Sequence, residues 1–540
     1  MHVPFSRLGG YKRLFIDYAE DFAKVSGFYR MNPRDPSSFS ARLSYLDGKQ
    51  FARAQVADVL AEQNRGWGAA DAAIANIDAL RDPKTSAVVA GQQAGLFGGP
   101  MYTLLKAACA VRWARGIEAA NPGRRVVPVF WIASDDHDWN EVKRFHWIGA
   151  DNALHHCEYS PETDISGRPV GAVEIDARIA GAFECFFGTN PETEYTSGLR
   201  RELEGAYRAG ATMADAFAKL ISAWMSDYGL VVCDPMDARL KAIGAPVFAR
   251  AIEARDAIFA GVAERNAELE KAGYHAQIGL PPDGTNLFVI VNGKREALRT
   301  AREGYVTESG AEFGAAELAK LITDEPERIS PNVVVRPVYQ DTLFPVAASV
   351  VGPSELSYYA QITGAYGEFG LEPPVYLPRH SLTVIEQKTQ KILGEIGCEW
   401  WELGGDPDEA IKRIVRSKLP QDLDEAFNRY RVSTILAGVE LERKVVEFEP
   451  TMEKPMQKMA ASLHHYADDI EKKVRQAYKQ KNQVWVERVG RAAASLFPER
   501  GFQERFAGPV YFLNKYGGGV IERVVAEMNP AELGHHWFAV

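Results

Sequence analysis

The sequence predicts an α/β protein in which a parallel-sheet core with two insertions precedes a long helical domain. Three observations carry that prediction. Short β-branched apolar runs alternate with helical stretches up to Arg379, polar clusters follow the ends of those runs, and beyond Arg379 long helices with few glycines take over. Strands alternating with helices imply right-handed crossovers and a parallel sheet, which binds ligands beyond the carboxyl ends of its strands.

The first strand is expected at Ser86 to Ala90 (SAVVA), running into the glycine-rich stretch Gly91 to Pro100 and a helical pattern from Met101 to Arg115. Val126 to Ala133 (VVPVFWIA) is the second, apolar on both faces as in a buried parallel strand. Gly229 to Cys233 follows, then Asn332 to Tyr339 (NVVVRPVY) as an expected fourth strand and Val375 to Leu377 as a fifth. Two stretches fit the sheet poorly, about 145–194 and 273–326, and read as insertions. The core is therefore assigned to 1–380, a helical domain to 381–500, and a segment returning to the core to 501–540.

In the helical domain the pattern predicts helices over Ser381 to Leu403, Ile411 to Leu419, Leu423 to Phe448 and Pro455 to Leu496. Met456, Met459, Leu463, Tyr466, Ile470, Val474 and Ala477 recur at steps of three and four, a heptad-like seam. Its partner is either the preceding helix, folding back as a hairpin, or the same helix of a second subunit.

Composition narrows the function classes. A chain of 540 residues exceeds what one core of about 250–300 residues supports. A net charge of -10 gives no broad cationic field, so nucleic acid is not an expected partner. The five cysteines form no CxxC or Cys/His cluster, which fits a reducing cytoplasm. No signal-peptide core is present near the N-terminus, and the longest apolar runs hold about eight residues where a membrane helix needs about 20. A soluble, cytoplasmic protein is expected.

Three clusters carry candidate chemistry. The first is GQQAGLFGGPMYTLLK, from Gly91 to Lys106. It lacks both the dinucleotide fingerprint and the P-loop spacing. Its glycines Gly95, Gly98 and Gly99 either expose backbone amides to an anion or make a tight turn, while Gln92, Gln93 and Tyr102 offer polar side chains. Lys106 is expected to lie too far along its helix to reach. The second is Ser134-Asp135-Asp136-His137-Asp138-Trp139-Asn140-Glu141, at the end of the second strand. An imidazole flanked by Asp136 and Asp138 suits removal of a proton from an amine, and the carboxylates suit Mg2+, although such residues also cap helices. The third runs from Arg336 through Gln340 and Asp341 to Glu355 and Tyr358. Arg336 suits a carboxylate and Glu355 an ammonium group, unless Ser354 and Glu355 simply start a helix. In the tail, Asn514, Lys515, Tyr516 and Gly517 are a candidate cofactor-binding turn or merely a tight turn.

In this order the motifs VVAGQQAGLFGGPMYTLLKA, VPVFWIASDDHDWNEV, RPVYQDTLFPVAASVVGPSELSYYAQ, PPVYLPR and FQERFAGPVYFLNKYG resemble the bacillithiol biosynthesis cysteine-adding enzymes over most of the chain. The resemblance implies a Rossmann-like core with two connective-peptide insertions, similar to class I aminoacyl-tRNA synthetases, and a coiled coil through which two subunits dimerise. It also implies a ligase that condenses the carboxyl group of L-cysteine with the glucosamine amine of glucosaminyl malate, giving bacillithiol. Neither HIGH nor KMSKS occurs, so the adenylating mechanism of the synthetases does not carry over. ATP or ADP and Mg2+ are compatible cofactors. In this scheme Gln92, Gln93 and the glycine turn hold a carboxylate end, Ser134 lines the site, and His137 with Asp136 or Asp138 deprotonates the amine. Arg336 and Glu355 clamp charged groups, and Arg336 and Arg379 meet the malate carboxylates. Competing readings are another ATP-dependent ligase or nucleotidyl transferase on the same fold, and a non-catalytic coiled-coil assembly protein.

Overall fold

The computed structural model describes residues 2–418, 421–481, 483–530 and 532–540. Leu419 and Asn482, which fall in two of the expected helices, lie outside the described residues. The chain divides into two units, Met1–Val384 with Gln503–Phe538, and Ile385–Phe502 with Ala539–Val540. Among the described residues no helix is long and apolar enough to cross a membrane.

The first unit is built on a five-stranded sheet. Its strands are β1 (Thr85–Gln92), β2 (Arg125–Ile132) and β3 (Val231–Cys233), then, after a long excursion, β7 (Val346–Val351) and β8 (Val375–Pro378). The order is β8-β7-β1-β2-β3 and every pairing is parallel. Ala87 to Ala90, Val126 to Ile132 and all of β7 are buried, which is why these strands read as continuous apolar runs rather than alternating ones. From β1 the chain passes to β2 on one side, and later returns to place β7 on the other side. The carboxyl ends of β1 and β7 therefore flank a topological switch point, the crevice where open parallel sheets hold ligands.

Between β3 and β7 the chain forms helix α2 (Ala238–Glu253) and strands β4 (Gly284–Val291), β5 (Lys294–Ala301) and β6 (Ile329–Pro331), with β4 paired antiparallel to both β5 and β6. Helix α3 (Val335–Leu343) follows and leads into β7, after which α4 (Pro353–Ile362) begins. This corrects the expected fourth strand. Asn332 to Tyr339 does not extend, because Asn332 Oδ1 accepts the N–H groups of Val334 and Val335 at 2.9 and 3.2 Å and starts α3 instead. Pro337 sits in the first turn of that helix, where its missing N–H costs little. The β-branched run is buried and apolar for packing reasons, and the strand comes a few residues later. The helix expected from Ser381 starts only at Gln387, since Ser381–Ile385 is a strand.

In the second unit α5 (Gln421–Phe448) and α6 (Glu453–Lys481) fold back on one another as an antiparallel hairpin. Arg431 reaches Asp468 at 3.0 Å and also Glu471, while Arg475 lies 3.5 Å from Asp424. Of the predicted seam, Met456 is buried, but Tyr466 and Ile470 stay exposed, as do Leu436, Val439 and Phe448 on α5.

Candidate functional site

At the switch point lies a cavity of about 580 Å³, walled by the ends of β1 and β7, the start of α4, the loop after β2 and the β5–β6 region. From the sequence-predicted set, Gln92, Gln93, Tyr102, Asp136, Arg336, Gln340, Glu355, Tyr358 and Arg379 line it. Residues separated by almost 290 positions are thus brought to one crevice.

One wall is cationic. Lys106, on α1 (Met101–Ala120), is almost fully buried, and its Nζ donates to Gly91 O at 2.8 Å and Gln92 Oε1 at 3.0 Å while facing Glu355 at 2.6 Å. The expectation that Lys106 lies too far along its helix is wrong: residues on the second turn of α1 face back over β1. Burial pushes the Glu355 carboxyl up, but Lys106 and the Gly352 N–H outweigh that and hold it below the usual range. Glu355 also accepts the Gly352 N–H from the third position of α4, so the structural and the charged readings of this residue both apply. Arg336 projects from α3 and donates to the Tyr358 and Tyr359 hydroxyls at 3.2 and 3.1 Å and to Gln340 at 3.4 Å. It pairs with no carboxylate among the described residues and keeps donors for a ligand. Arg379 differs. It is buried against Glu504 at 2.7 Å with its guanidinium over the Tyr102 ring, so its charge is already compensated. Arg505 also lines the cavity and makes no hydrogen bond or ion pair among the described residues.

The cluster after β2 brings carboxylates to the same cavity, and here the predicted roles change. His137 does not line the cavity. Its Nδ1 lies 3.0 Å from Arg295 Nη1, and because a guanidinium only donates, that nitrogen is the acceptor and its lone pair is occupied. The imidazole is therefore not placed as a free base. Asp136 receives the Gln93 amide at 2.6 Å and the His137 N–H at 2.7 Å. Asp138 caps the short helix Trp139–Val142 through the Asn140 N–H. Ser134 is fully buried and hydrogen-bonds Asp234, whose carboxyl burial pushes up to about 6. Asp135 lines the cavity but is paired with buried Lys241 at 2.7 Å.

Other expectations fail for stated reasons. The amides of the glycine turn are used within the protein: those of Gly95, Gly98 and Gly99 donate to Gln93, Gly95 and Leu96 carbonyls, and that of Met101 donates to Ala507. Gly95, Gly98 and Gly99 serve close packing instead. A Cβ at Gly98, where φ is +84°, would lie 2.7 Å from the Trp224 ring. Asp341 sits behind the cavity, bonded to Gln340 and Tyr366. Asn514, Lys515, Tyr516 and Gly517 do not line the cavity. Asn514 accepts from Thr196 at 2.9 Å, Lys515 lies over the Tyr511 and Tyr516 rings, and Gly517, at φ +71°, ends a helix against Tyr195.

Sequence reasoning missed Arg295, Glu141, Tyr359 and Arg505 as cavity residues. Arg295 arrives on β5 from a region with no motif, lying 3.5 Å over the Phe288 ring, and no local signal marks it. Glu141 stood at the end of the second cluster and was passed over in favour of the histidine.

Comparison with known proteins agrees with this architecture. Residues 1–380 match the family model "Bacillithiol biosynthesis BshC, N-terminal Rossmann-like domain", and residues 382–539 match "Bacillithiol biosynthesis BshC, C-terminal coiled-coil domain". Relatives named "Putative cysteine ligase BshC" include one from Salinibacter ruber, 32% identical over 96% of this chain and 95% of its own length. Another from Koribacter versatilis is 32% identical over 97% of this chain and 96% of its own, and one from Chlorobaculum tepidum is 29% identical over 95% and 94%. The chain belongs to the bacillithiol biosynthesis BshC family.

Proposed function

We propose that this protein is a ligase that joins the carboxyl group of L-cysteine to the glucosamine amine of glucosaminyl malate, forming the amide bond of bacillithiol at the switch-point cavity. The observation that carries the proposal is one cavity whose lining holds both cationic donors without a carboxylate partner among the described residues, Arg336 and Arg505, and acceptors, Glu141 and the unpartnered Gln93 Oε1. A dicarboxylate such as malate suits the first and an amine suits the second. The relatives are named cysteine ligases, which supports cysteine as a substrate, and its role as acyl donor is part of the proposal. We further propose a cytoplasmic homodimer assembled through the exposed apolar stripe of the α5–α6 hairpin.

Amide formation in water needs an activated carboxyl, so the test includes a nucleotide. Purified full-length protein is incubated with cysteine, glucosaminyl malate, ATP and Mg2+, each omitted in turn, and products are read by mass spectrometry. Product that requires both cysteine and the amino sugar is expected, and the ATP omission reports whether nucleotide drives activation. No product in any combination, from protein shown to be folded, contradicts the proposal.

A further inference from the structure

The acidic cluster after β2 contains more carboxylates than a proton transfer needs, and their partners separate them. Asp135 is held by Lys241, Asp136 by the Gln93 amide and a backbone N–H, and Asp138 by the helix it caps. His137 has its lone pair turned to Arg295. Across the cavity, Glu355 is held by Lys106 and the Gly352 N–H. Each of these groups already has a cation or an N–H as its partner.

Glu141 is the exception. It lines the cavity, no cation or backbone N–H pairs with its carboxylate among the described residues, and the Gln93 side-chain amide is its one hydrogen-bond donor. Glu141 stands exposed at the rim of the cavity, and partial loss of hydration there, with Asp136 and Asp138 close by, raises its proton affinity above that of an ordinary glutamate. A second observation points the same way. Gln93 is nine-tenths buried, its Nε2 is engaged by Asp136, and its Oε1 is buried with no donor. A buried acceptor without a partner is costly, so this corner of the cavity is built to receive an N–H donor from a ligand.

We propose that Glu141 is the general base of the reaction, taking a proton from the substrate's ammonium group so that the free amine can attack the cysteine carboxyl carbon once a nucleoside triphosphate has activated it, the phosphate-bearing group leaving with the electron pair of the broken C–O bond as the C–N bond forms. An N–H bond breaks, an O–H bond forms on the Glu141 carboxylate, and the electron pair stays on nitrogen. Gln93 Oε1 accepts a remaining N–H and orients the amine. The inference rests on the proposed amide-forming reaction and replaces His137 as base.

The test is the pH profile of turnover for the full-length protein with cysteine and glucosaminyl malate, comparing wild type, Glu141→Gln and Glu141→Asp. Glu141→Gln should lower kcat by about 10²-fold or more, change KM little, and abolish the acid limb of the profile. Glu141→Asp should recover part of the rate and keep that limb at a shifted position, and it carries the test if thermal melting shows the glutamine variant unfolded. Unchanged turnover in Glu141→Gln, or a uniform loss that leaves the acid limb in place, overturns the role of Glu141 while leaving the ligase reading intact. A wild-type protein that makes no product overturns both.

Discussion

Asp341 shows how a residue can matter to the cavity without entering it. Its carboxyl is fully enclosed, receiving Gln340 and the Tyr366 hydroxyl, with the Arg42 and Arg336 guanidinium groups and Tyr359 and Tyr376 around it. Burial outweighs those cations and pushes its pKa up to about 7. A carboxyl whose folded pKa exceeds its unfolded value of about 4 binds its proton more tightly when folded. Its contribution to stability is full below about pH 4 and is lost as pH rises through about 7. Asp341→Asn keeps the shape but does not titrate. Urea midpoints measured from pH 4 to 8 should therefore show the variant gaining on wild type as pH rises, and a pH-independent difference would contradict the assignment. At this scale the sequence identified the residue types well, because Arg, Gln, Glu and Tyr at strand and helix ends have few purely structural uses. It could not rank them. Whether a carboxylate lacks a cation, as Glu141 does among the described residues, or is held by one, as Asp135 is by Lys241, depends on a partner about a hundred positions away.

Elements were read best where periodicity and punctuation agreed. Strands β1 and β2 and helix α1 follow from apolar runs closed by glycine or aspartate, and they place Gln92 and Gln93, although not the reach of Lys106, without further information. Helix α3 was misread because VVV outweighed the signal of Asn332 followed by Pro337, a helix start in which asparagine caps and proline occupies the first turn. The glycine turn was recognised as a turn but given chemistry it does not have. The amides of Gly95, Gly98 and Gly99 are already bonded, and these glycines exist because Trp224 and the neighbouring backbone leave no room for a side chain. Gly98→Ala should therefore cost about 2–4 kcal/mol from its positive φ and the close ring contact together, read as a lowered unfolding midpoint. A change under about 0.5 kcal/mol would show that the turn relaxes and that close packing is not its reason.

The whole molecule raises the question of the exposed apolar stripe on the helical hairpin. Leu436 and Val439 are 65% and 60% exposed in the single chain, and patches of this kind on a soluble protein mark interfaces. The seam periodicity alone left an intrachain hairpin and an intersubunit coil equally open. The hairpin exists, and the residues it leaves uncovered are those available to a second subunit. Light scattering after size-exclusion chromatography should give twice the chain mass of 59.7 kDa for wild type and one chain mass for the Leu436→Glu, Val439→Glu double variant. A monomeric wild type would contradict assembly through this face.

The central claim is that the amine of an amino sugar becomes an amide nitrogen at the β1–β7 switch point. It is tested most directly with glucosaminyl malate carrying 15N at the glucosamine amine, incubated with cysteine, ATP and Mg2+ and wild-type protein or Arg336→Ala. Wild type should form a cysteinyl amide that retains the label, and the variant should form it with a raised KM for the amino sugar. A folded wild type that yields no labelled amide, or an Arg336→Ala protein with unaltered KM, would contradict the claim.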